Sequence, residues 1–341
     1  MSSVLRLGVI KGEGIGESVI DAAVQTLGAL GSRFDVEVEL VYGPDLLATG
    51  VNFSAVSDFY DSCASESMPI LHGPAGGRFV YELRKWSDLF VKLTPVKPNA
   101  LLQDASLLRP ELLTGVDILL VRDNIGGLYQ GDYGFDGKVA FQNAAYDLAN
   151  VERLMKVASE QAMSRRGDLC VVLKPGGVPA ISELWRMAAE SVVSASVNLS
   201  FLEVDNACYQ LGASPSQFDV MVSPNMFGDV LGDTASIALG SRGLSYSANF
   251  SESGFAVYQT AHGAARDLAG KNIANPLAQL YALGWLLETS LHRADMQASL
   301  LAAIDSVIGG GYRTADIASA NSKVVSTSEL TSRVVEAIAN G

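Results

Sequence analysis

The sequence has few cysteines, few basic residues and no long uninterrupted run of apolar residues. Its three cysteines, Cys63, Cys170 and Cys208, lie far apart and form no CxxC pair, which argues against a disulfide framework or a cysteine metal site. We expect them to be reduced thiols in the core. No apolar stretch reaches membrane-spanning length, and the start of the chain lacks the pattern of a signal peptide. We therefore expect a soluble, cytoplasmic protein.

Positive charge is also scarce. The chain has 24 Lys and Arg residues and 37 Asp and Glu residues, which give a net charge of −13 at pH 7. Nucleic acids and anionic membranes need a basic surface, so neither is an expected partner. An anionic substrate must be bound by a local basic pocket. With 341 residues, 48% of them hydrophobic, the chain can form a large core and about two domains.

Short apolar or β-branched runs alternate with longer segments whose apolar residues recur every three or four positions. This alternation predicts an α/β fold around a largely parallel sheet. The predicted strands are LRLGVI, VEVELVYG, SMPILHG, VDILLVRD, LCVVLKP, SFLEVD and FDVMVSP. The predicted helices include ESVIDAAVQTLGAL, NVERLMKVASEQAMSRR, ISELWRMAAESVVSAS and NPLAQLYALGWLLETSLH.

Two carboxylates lie four residues apart in SPNMFGDVLGDTAS, residues 223–236. On a helix, Asp229 and Asp233 would point the same way and repel each other. A divalent cation with oxygen ligands would explain two uncompensated acids. A first helical turn, where acids interact favourably with the helix dipole, is the alternative.

The glycine-rich stretch GEGIG, residues 12–16, follows a predicted strand and precedes a predicted helix. It fits the start of a dinucleotide fingerprint, but its third glycine is one position early and Glu17 occupies the position that the pattern requires for glycine. This motif alone is compatible both with phosphate binding at the helix N-terminus and with a simple tight turn.

Several side chains are candidates for anion binding and proton transfer. Arg84 and Lys92 lie in RFVYELRKWSDLFVKLTPVK, and Arg122 follows the VDILLV strand, where α/β folds place ligands. Lys85 in the same stretch is expected on the surface. Tyr129 and Lys174, each near a strand end, offer an acid and a base, although a packed tyrosine and a solvated lysine are equally ordinary.

Taken together, the motifs resemble the decarboxylating dehydrogenases that include 3-isopropylmalate, isocitrate, homoisocitrate and tartrate dehydrogenases. The resemblance covers essentially the whole chain, and the run NMFGDVLGDTAS followed by AHGAARDLAGKNIANP is its most specific part. The motifs in order are GEGIG, LRK, RDNIGGLYQG, VVLK, VDNACYQL, NMFGDVLGD, HGAARDLAGKNIANP and YRTADI.

The resemblance implies an isopropylmalate-dehydrogenase-like fold of two domains on one extended, mostly parallel sheet. Residues 1–93 together with 241–341 would form the cofactor-binding domain, and residues 94–240 the substrate-binding and dimerisation domain. The active site would lie in the cleft between them, and the cleft would close around the substrate.

By the same resemblance, the activity is a metal-dependent oxidative decarboxylation of a small anionic 2-hydroxy acid by a homodimer. Asp229 and Asp233, with Asp205 of the neighbouring subunit, would bind Mg²⁺ or Mn²⁺. The substrate would transfer a hydride to a nicotinamide and then lose CO₂. Lys174 would take the hydroxyl proton, Tyr129 would protonate the enolate carbon, and Arg84 and Arg122 would bind carboxylates.

The resemblance also implies NAD as the cofactor, because Asp267 matches the acid that binds the adenosine ribose in NAD-dependent members. A carboxylate there accepts hydrogen bonds from two free hydroxyls and repels a 2′-phosphate. The other implied cofactor-binding residues are Gly14, Ile15, His262, Gly263, Asn272 and Asn275.

Departures from the family pattern bear on the substrate. Lys92 replaces an asparagine and Thr94 replaces a second carboxylate-binding arginine, while Gly176 and Arg266 replace an asparagine and a proline. Val80, at the substrate-selecting position, matches neither the leucine of isopropylmalate enzymes nor the polar residue of isocitrate enzymes. We therefore expect an unusual 3-substituted malate. The alternatives are a tartrate- or D-malate-type dehydrogenase and a non-catalytic regulatory subunit.

Overall fold

The computed structural model describes residues 4–46 and 52–341. Residues 1–3 and 47–51, both within the predicted cofactor-binding domain, lie outside the described residues. The strands are β1 Val4–Ile10, β2 Glu37–Tyr42, β3 Ile70–His72, β4 Val91–Val96, β5 Ile118–Asp123, β6 Tyr133–Phe135, β7 Ala140–Gln142, β8 Asp168–Leu173, β9 Asn198–Glu203, β10 Val220–Ser223, β11 Tyr246–Phe250, β12 Ala256–Thr260, β13 Tyr312–Arg313 and β14 Lys323–Val324. The α-helices are α1 Gly16–Phe34, α2 Phe53–Ser65, α3 Arg78–Trp86, α4 Pro110–Leu113, α5 Leu148–Met163, α6 Pro179–Val192, α7 Val204–Ala213, α8 Asn225–Ala235, α9 Leu277–Thr289, α10 Ala294–Gly309 and α11 Thr327–Asn340.

Ten strands form one sheet in the order β2-β1-β3-β12-β11-β4-β5-β10-β8-β9. The pairs on both outer sides are parallel, whereas β11 is antiparallel to β12 and β4, and β4 is antiparallel to β5. This arrangement confirms the predicted α/β class with a mostly parallel central sheet. The predicted boundary between residues 93 and 94 falls inside β4, so the division into two domains stays a prediction.

The predicted strands are all present, and their composition explains their positions. The central strands β5 and β10 are buried along their whole length, as expected of apolar strands covered on both faces. The edge strands β2 and β9 are more exposed. The predicted strand SFLEVD ends at Glu203 because Val204 begins α7.

Helices cover both faces of the sheet. Helices α1, α9, α10 and α11 pack in one large hydrophobic cluster, and α5 and α6 pack in a second. Helix α9 is apolar on every side, as expected of a helix buried inside the protein. Among the described helices, none is both long and apolar enough to cross a membrane. All three cysteines are free thiols; Cys63 and Cys170 are buried, whereas Cys208 is half-buried.

Candidate active site

Arg122 ends the buried strand β5 and connects it to the start of α8. Its Nε and Nη2 donate to Asn225 Oδ1 at 3.1 and 2.8 Å, and its Nη1 forms an ion pair with Asp229. The arginine side chain is only 5% exposed. A buried guanidinium held by three hydrogen bonds is fixed in position, so Arg122 presents a rigid cation at the end of the strand.

The close approach of α8 to Arg122 depends on Gly228. A β-carbon at this position would lie 2.7 Å from Arg122 Cγ and 2.8 Å from Ser223 Oγ. These distances are too short for any side chain, so glycine is required for the helix to pack here.

Tyr129 lies in the loop after β5 and turns back toward the same aspartate. Its hydroxyl donates to Asp229 Oδ2 at 3.0 Å. Burial, followed by the charge of Asp229, raises the pKa of Tyr129 to about 12. The opposite shift occurs in the aspartate, where Arg122 and Lys92 outweigh burial and lower the pKa of Asp229. Tyr129 therefore keeps its proton at neutral pH and can donate it.

Arg84 and Lys92 add two further cations to this group. Both are buried, and among the described residues neither side chain forms a hydrogen bond or an ion pair, although the Arg84 guanidinium lies 5.4 Å from the centre of the Tyr81 ring. Burial, followed by repulsion from Arg122, lowers the pKa of Arg84 to about 10. Burial, followed by repulsion from Arg84 and Arg122, lowers the pKa of Lys92 well below its usual value. Buried cations without a carboxylate partner indicate a site suited to an anion.

The other predicted substrate residues lie near these cations. Thr94 is buried on β4, two residues from Lys92 and therefore on the same face of the strand. Val80 lies one helical turn before Arg84 on α3, and both line a small, mostly enclosed cavity with space of about 20 Å³ for water-sized groups.

Asp233 lies one turn after Asp229 on α8 and is paired with Arg242 Nη2 at 2.9 Å. The two acids were predicted to be uncompensated, and this detail is wrong because Arg122 neutralises one and Arg242 the other. They also lie beyond the first turn of the helix at positions five and nine, where the helix dipole has little effect.

Lys174 and Asp205 form a second group elsewhere in the chain. Lys174 Nζ donates to Asp205 Oδ1 at 2.8 Å and to Glu203 Oε2 at 2.6 Å. The hydrogen bonds to Asp205 and Glu203 raise the pKa of Lys174, and Lys174 in turn lowers the pKa of Asp205. Within the described residues, no hydrogen bond or ion pair joins this group to Tyr129, Asp229 or Asp233.

Asp229 and Asp233 are the acids that could bind a divalent metal ion within one chain. The described residues of one chain contain no cluster of three or more His, Cys, Asp or Glu side chains that could bind a metal. Asp229 and Asp233 alone supply two carboxylates at helical spacing. Two carboxylates with waters or substrate oxygens are an ordinary Mg²⁺ or Mn²⁺ ligand set, so these residues fit such an ion.

A cavity of about 500 Å³ lies beside the Asp233–Arg242 pair. Five of the seven predicted cofactor residues line it, which are Ile15, His262, Gly263, Asp267 and Asn275. Asp316 supplies a second lining carboxylate, and the buried Nε2 atom of the half-buried His262 has no hydrogen-bond partner. Carboxylates suit ribose hydroxyls, so the lining fits the adenosine part of a dinucleotide.

The remaining two cofactor residues have other positions. Gly14 has a φ of 60°, and a β-carbon there would lie 1.9 Å from Ala264 O, so the GEGIG turn packs directly on the cavity loop. Arg266, the departure in that loop, forms an ion pair with Glu13 and reinforces this contact. Asn272 does not line the cavity and instead bonds to Ser328 at the start of α11.

Sequence reasoning missed four polar residues that the structure brings to these sites. Asn225 fixes Arg122, Glu203 binds Lys174, and Arg242 and Asp316 line the cavity. Asp316 had a signal, since it lies in the YRTADI motif. Arg242 also had one, because it is an isolated cation shortly after NMFGDVLGD in an acidic chain.

A model of the family described as isocitrate/isopropylmalate dehydrogenase matches residues 6–334. The 3-isopropylmalate dehydrogenase of Clostridium pasteurianum is 37% identical over 97% of this chain and 98% of its own length. That of Burkholderia pseudomallei is 36% identical over 98% of this chain and 100% of its own length.

Solved structures agree with these sequence matches. An isocitrate dehydrogenase from Methylococcus capsulatus has a TM-score of 0.85 and 26% identity, covering 98% of this chain and 99% of its own. The TT0538 protein from Thermus thermophilus has a TM-score of 0.87 at 24% identity, covering 98% and 68% of the two chains, and shows the fold alone. The resemblance seen in the motifs is confirmed: the chain belongs to the isocitrate/isopropylmalate dehydrogenase family of decarboxylating oxidoreductases that act on CH–OH groups.

Proposed function

We propose that this protein catalyses the NAD-dependent oxidative decarboxylation of a 3-substituted malate with Mg²⁺ or Mn²⁺. One observation carries the proposal: the buried Lys92 lies opposite Arg122, which pairs with Asp229, and Asp229 accepts a hydrogen bond from the Tyr129 hydroxyl. Arg84 joins this group through the ring of Tyr81, which packs against Tyr129. Asp233, on the same helix, is linked through Arg242 to the cavity suited to a dinucleotide. Arg122 is paired with Asp229, but the side chains of Arg84 and Lys92 have no carboxylate partner among the described residues, which supports an anionic substrate with more than one negative charge.

Each side chain has a chemical task in this proposal. Arg84, Lys92 and Arg122 would bind and orient the substrate carboxylates. Tyr129, which retains its proton, would deliver it to the carbon that loses CO₂. When bound, the nicotinamide accepts the hydride and the metal ion withdraws electrons from the substrate oxygen. Asp267 would favour NAD over NADP by repelling a 2′-phosphate.

The active form is proposed to be a homodimer in which the partner subunit contributes Lys174 and Asp205. Within the described residues of one chain, no hydrogen bond or ion pair joins Lys174 and Asp205 to Tyr129 and Asp229, which supports this arrangement. The hairpin formed by β6 and β7 also supports it, because its apolar side chains are exposed and Phe135 is 73% accessible. An exposed aromatic hairpin of this kind is typical of a surface that pairs with another chain.

The test is NADH formation from a panel of 3-substituted malates with Mn²⁺, comparing wild type with Lys174→Ala. Turnover of one compound that the substitution abolishes would establish the reaction and identify the 3-substituent. D-Malate and tartrate belong in the panel because they represent the alternative substrate class. A protein that binds NADH but oxidises none of these compounds would contradict the proposal and favour a regulatory subunit. The cytoplasmic location stays a prediction.

A further inference from the structure

Arg242 is shared by the two halves of the candidate active site. Its guanidinium pairs with Asp233, one of the two acids proposed to bind the metal ion. The same residue lines the cavity proposed to bind the dinucleotide, next to Ser241 and Gly243. It begins a short 3-10 helix, Arg242–Leu244, that leads from the α8 region into β11.

The charges around the cavity show why an arginine matters here. Among the described residues that line it, Asp267 and Asp316 are acidic and Arg242 is the cation. Arg266 lies nearby but is paired with Glu13. A dinucleotide carries a diphosphate with two negative charges, which acids alone would repel. Arg242 is therefore the lining side chain suited to bind this diphosphate, since guanidinium groups bind phosphate oxygens with two hydrogen bonds.

The pair between Arg242 and Asp233 can be exchanged at little cost. Both side chains are about three-fifths exposed, at 61% and 59%. Exposed ion pairs contribute little to stability, so either side chain can change partner. The pair between Arg122 and Asp229 differs, because its arginine is buried and also bound to Asn225. Of these two ion pairs, only the one between Arg242 and Asp233 is suited to exchange partners when a ligand binds.

We propose that Arg242 couples metal binding to dinucleotide binding, an inference that rests on the proposed function. Without a metal ion, the guanidinium of Arg242 is held by Asp233 at the edge of the cavity. With Asp233 engaged by a divalent cation, Arg242 loses its partner and turns to the diphosphate. Metal binding then strengthens NAD(H) binding, and NAD(H) strengthens metal binding by the same factor.

The experiment measures NADH affinity by the fluorescence of bound NADH, with and without Mn²⁺, in wild type, Arg242→Gln and Asp233→Asn. In wild type, Mn²⁺ should tighten NADH binding about fivefold or more. In Arg242→Gln this effect of Mn²⁺ should disappear. In Asp233→Asn, NADH should bind without Mn²⁺ about as tightly as it binds to metal-loaded wild type, because Arg242 is already released. If Arg242→Gln lost the effect of Mn²⁺ only because the protein was damaged, Asp233→Asn would not be expected to bind NADH more tightly.

Arg109→Gln is the matched control, because Arg109 is an exposed arginine paired with Glu111 away from both sites. It should keep the wild-type effect of Mn²⁺. A second measurement, Mn²⁺ affinity by electron paramagnetic resonance with and without NADH, should show the same factor. An unchanged effect of Mn²⁺ in Arg242→Gln would overturn the coupling while leaving the proposed function intact. Absence of NADH binding in wild type would overturn both.

Discussion

Lys92 and Arg122 occupy directly opposed positions on the antiparallel strands β4 and β5. Opposed residues of such a pair project from the same face of the sheet, so two cations start side by side. The guanidinium of Arg122 is held by Asn225 and Asp229, whereas the ammonium group of Lys92 has no hydrogen-bonding partner among the described residues. The fold therefore tolerates an unfavourable charge at the position where we expect substrate to bind.

The first prediction is that Lys92→Met stabilises the protein and impairs catalysis. Removing a buried, unpaired ammonium should raise the free energy of unfolding by about 1 to 3 kcal/mol. Loss of a charged contact to the substrate should lower kcat/KM by about ten- to a hundredfold. Chemical denaturation and steady-state kinetics measure the two effects. If Lys92→Met were less stable than wild type, the buried charge of Lys92 would not destabilise the folded state.

The pH dependence of this stability gain provides a second prediction. Burial, together with Arg84 and Arg122, lowers the pKa of Lys92 in the folded state well below 10.5. Between the lowered pKa and 10.5, the unfolded chain binds more protons, so wild-type stability from this group rises with pH. The advantage of Lys92→Met should therefore shrink as pH rises through this window toward 10.5. If the stability advantage of Lys92→Met did not change with pH, a lowered pKa of Lys92 would be excluded.

A third prediction compares two glycines of α8. Gly228→Ala should force Arg122 to move, destabilise the protein by about 1 to 3 kcal/mol and reduce substrate affinity. Gly232→Ala is the control, because no atom lies within 4 Å of a β-carbon there. It should stabilise the helix by about 0.5 to 1 kcal/mol. Equal effects of the two substitutions on unfolding and on KM would show that Arg122 does not depend on close packing.

A fourth prediction concerns cofactor choice. Asp267→Asn removes the charge that is proposed to repel a 2′-phosphate but keeps the size of the side chain. The ratio of kcat/KM for NAD to that for NADP should fall about tenfold or more. Asp316, the other lining acid, also bonds to Ser241, Asn275 and Thr314 and is the less suitable residue to change. If NADP remains rejected equally well, Asp267 does not set the preference.

Sharing of active sites between subunits predicts complementation. Lys174→Ala and Tyr129→Phe should each be nearly inactive. We expect Tyr129→Phe to lower kcat about 10²- to 10⁴-fold. After the two variants are unfolded and refolded together, half of the dimers are mixed and each mixed dimer has one intact site. Activity should return to about a quarter of the wild-type value. No recovery, with mixed dimers shown by mass spectrometry, would place both residues in one chain's site.

The sequence predicted the strands and the site motifs well where local pattern decides the structure. The apolar strand VDILLVRD is specified by its composition, so Arg122 was placed correctly near the end of a buried strand. Asp229 and Asp233 lie one turn apart on a helix, as expected from their spacing. The stretch RFVYELRKWSDLFVKLTPVK was harder, because it changes from helix α3 to strand β4. This change is why Lys85 is exposed and Lys92 is buried.

Pairings across the fold could not be predicted from the sequence. Asp233 and Arg242 are nine residues apart, and their contact depends on the short 3-10 helices between α8 and β11. The role of Asn225 likewise depends on α8 packing against β5, which single-sequence periodicity does not encode. Asn272 was assigned to the cofactor by its motif, but in the structure it bonds to α11.

The position of β4 in the sheet has a mechanical consequence. Lys92 lies between Asn249 of β11 and Arg122 of β5, at the antiparallel centre where the two parallel parts of the sheet meet. An anion bound there would cancel the repulsion between Lys92 and Arg122. The strands β4 and β5 that carry these cations are joined by backbone hydrogen bonds that hold the two parts together. Ligand binding would then stiffen the middle of the molecule, and amide hydrogen exchange in β4 and β11 would slow more than in the outer strands.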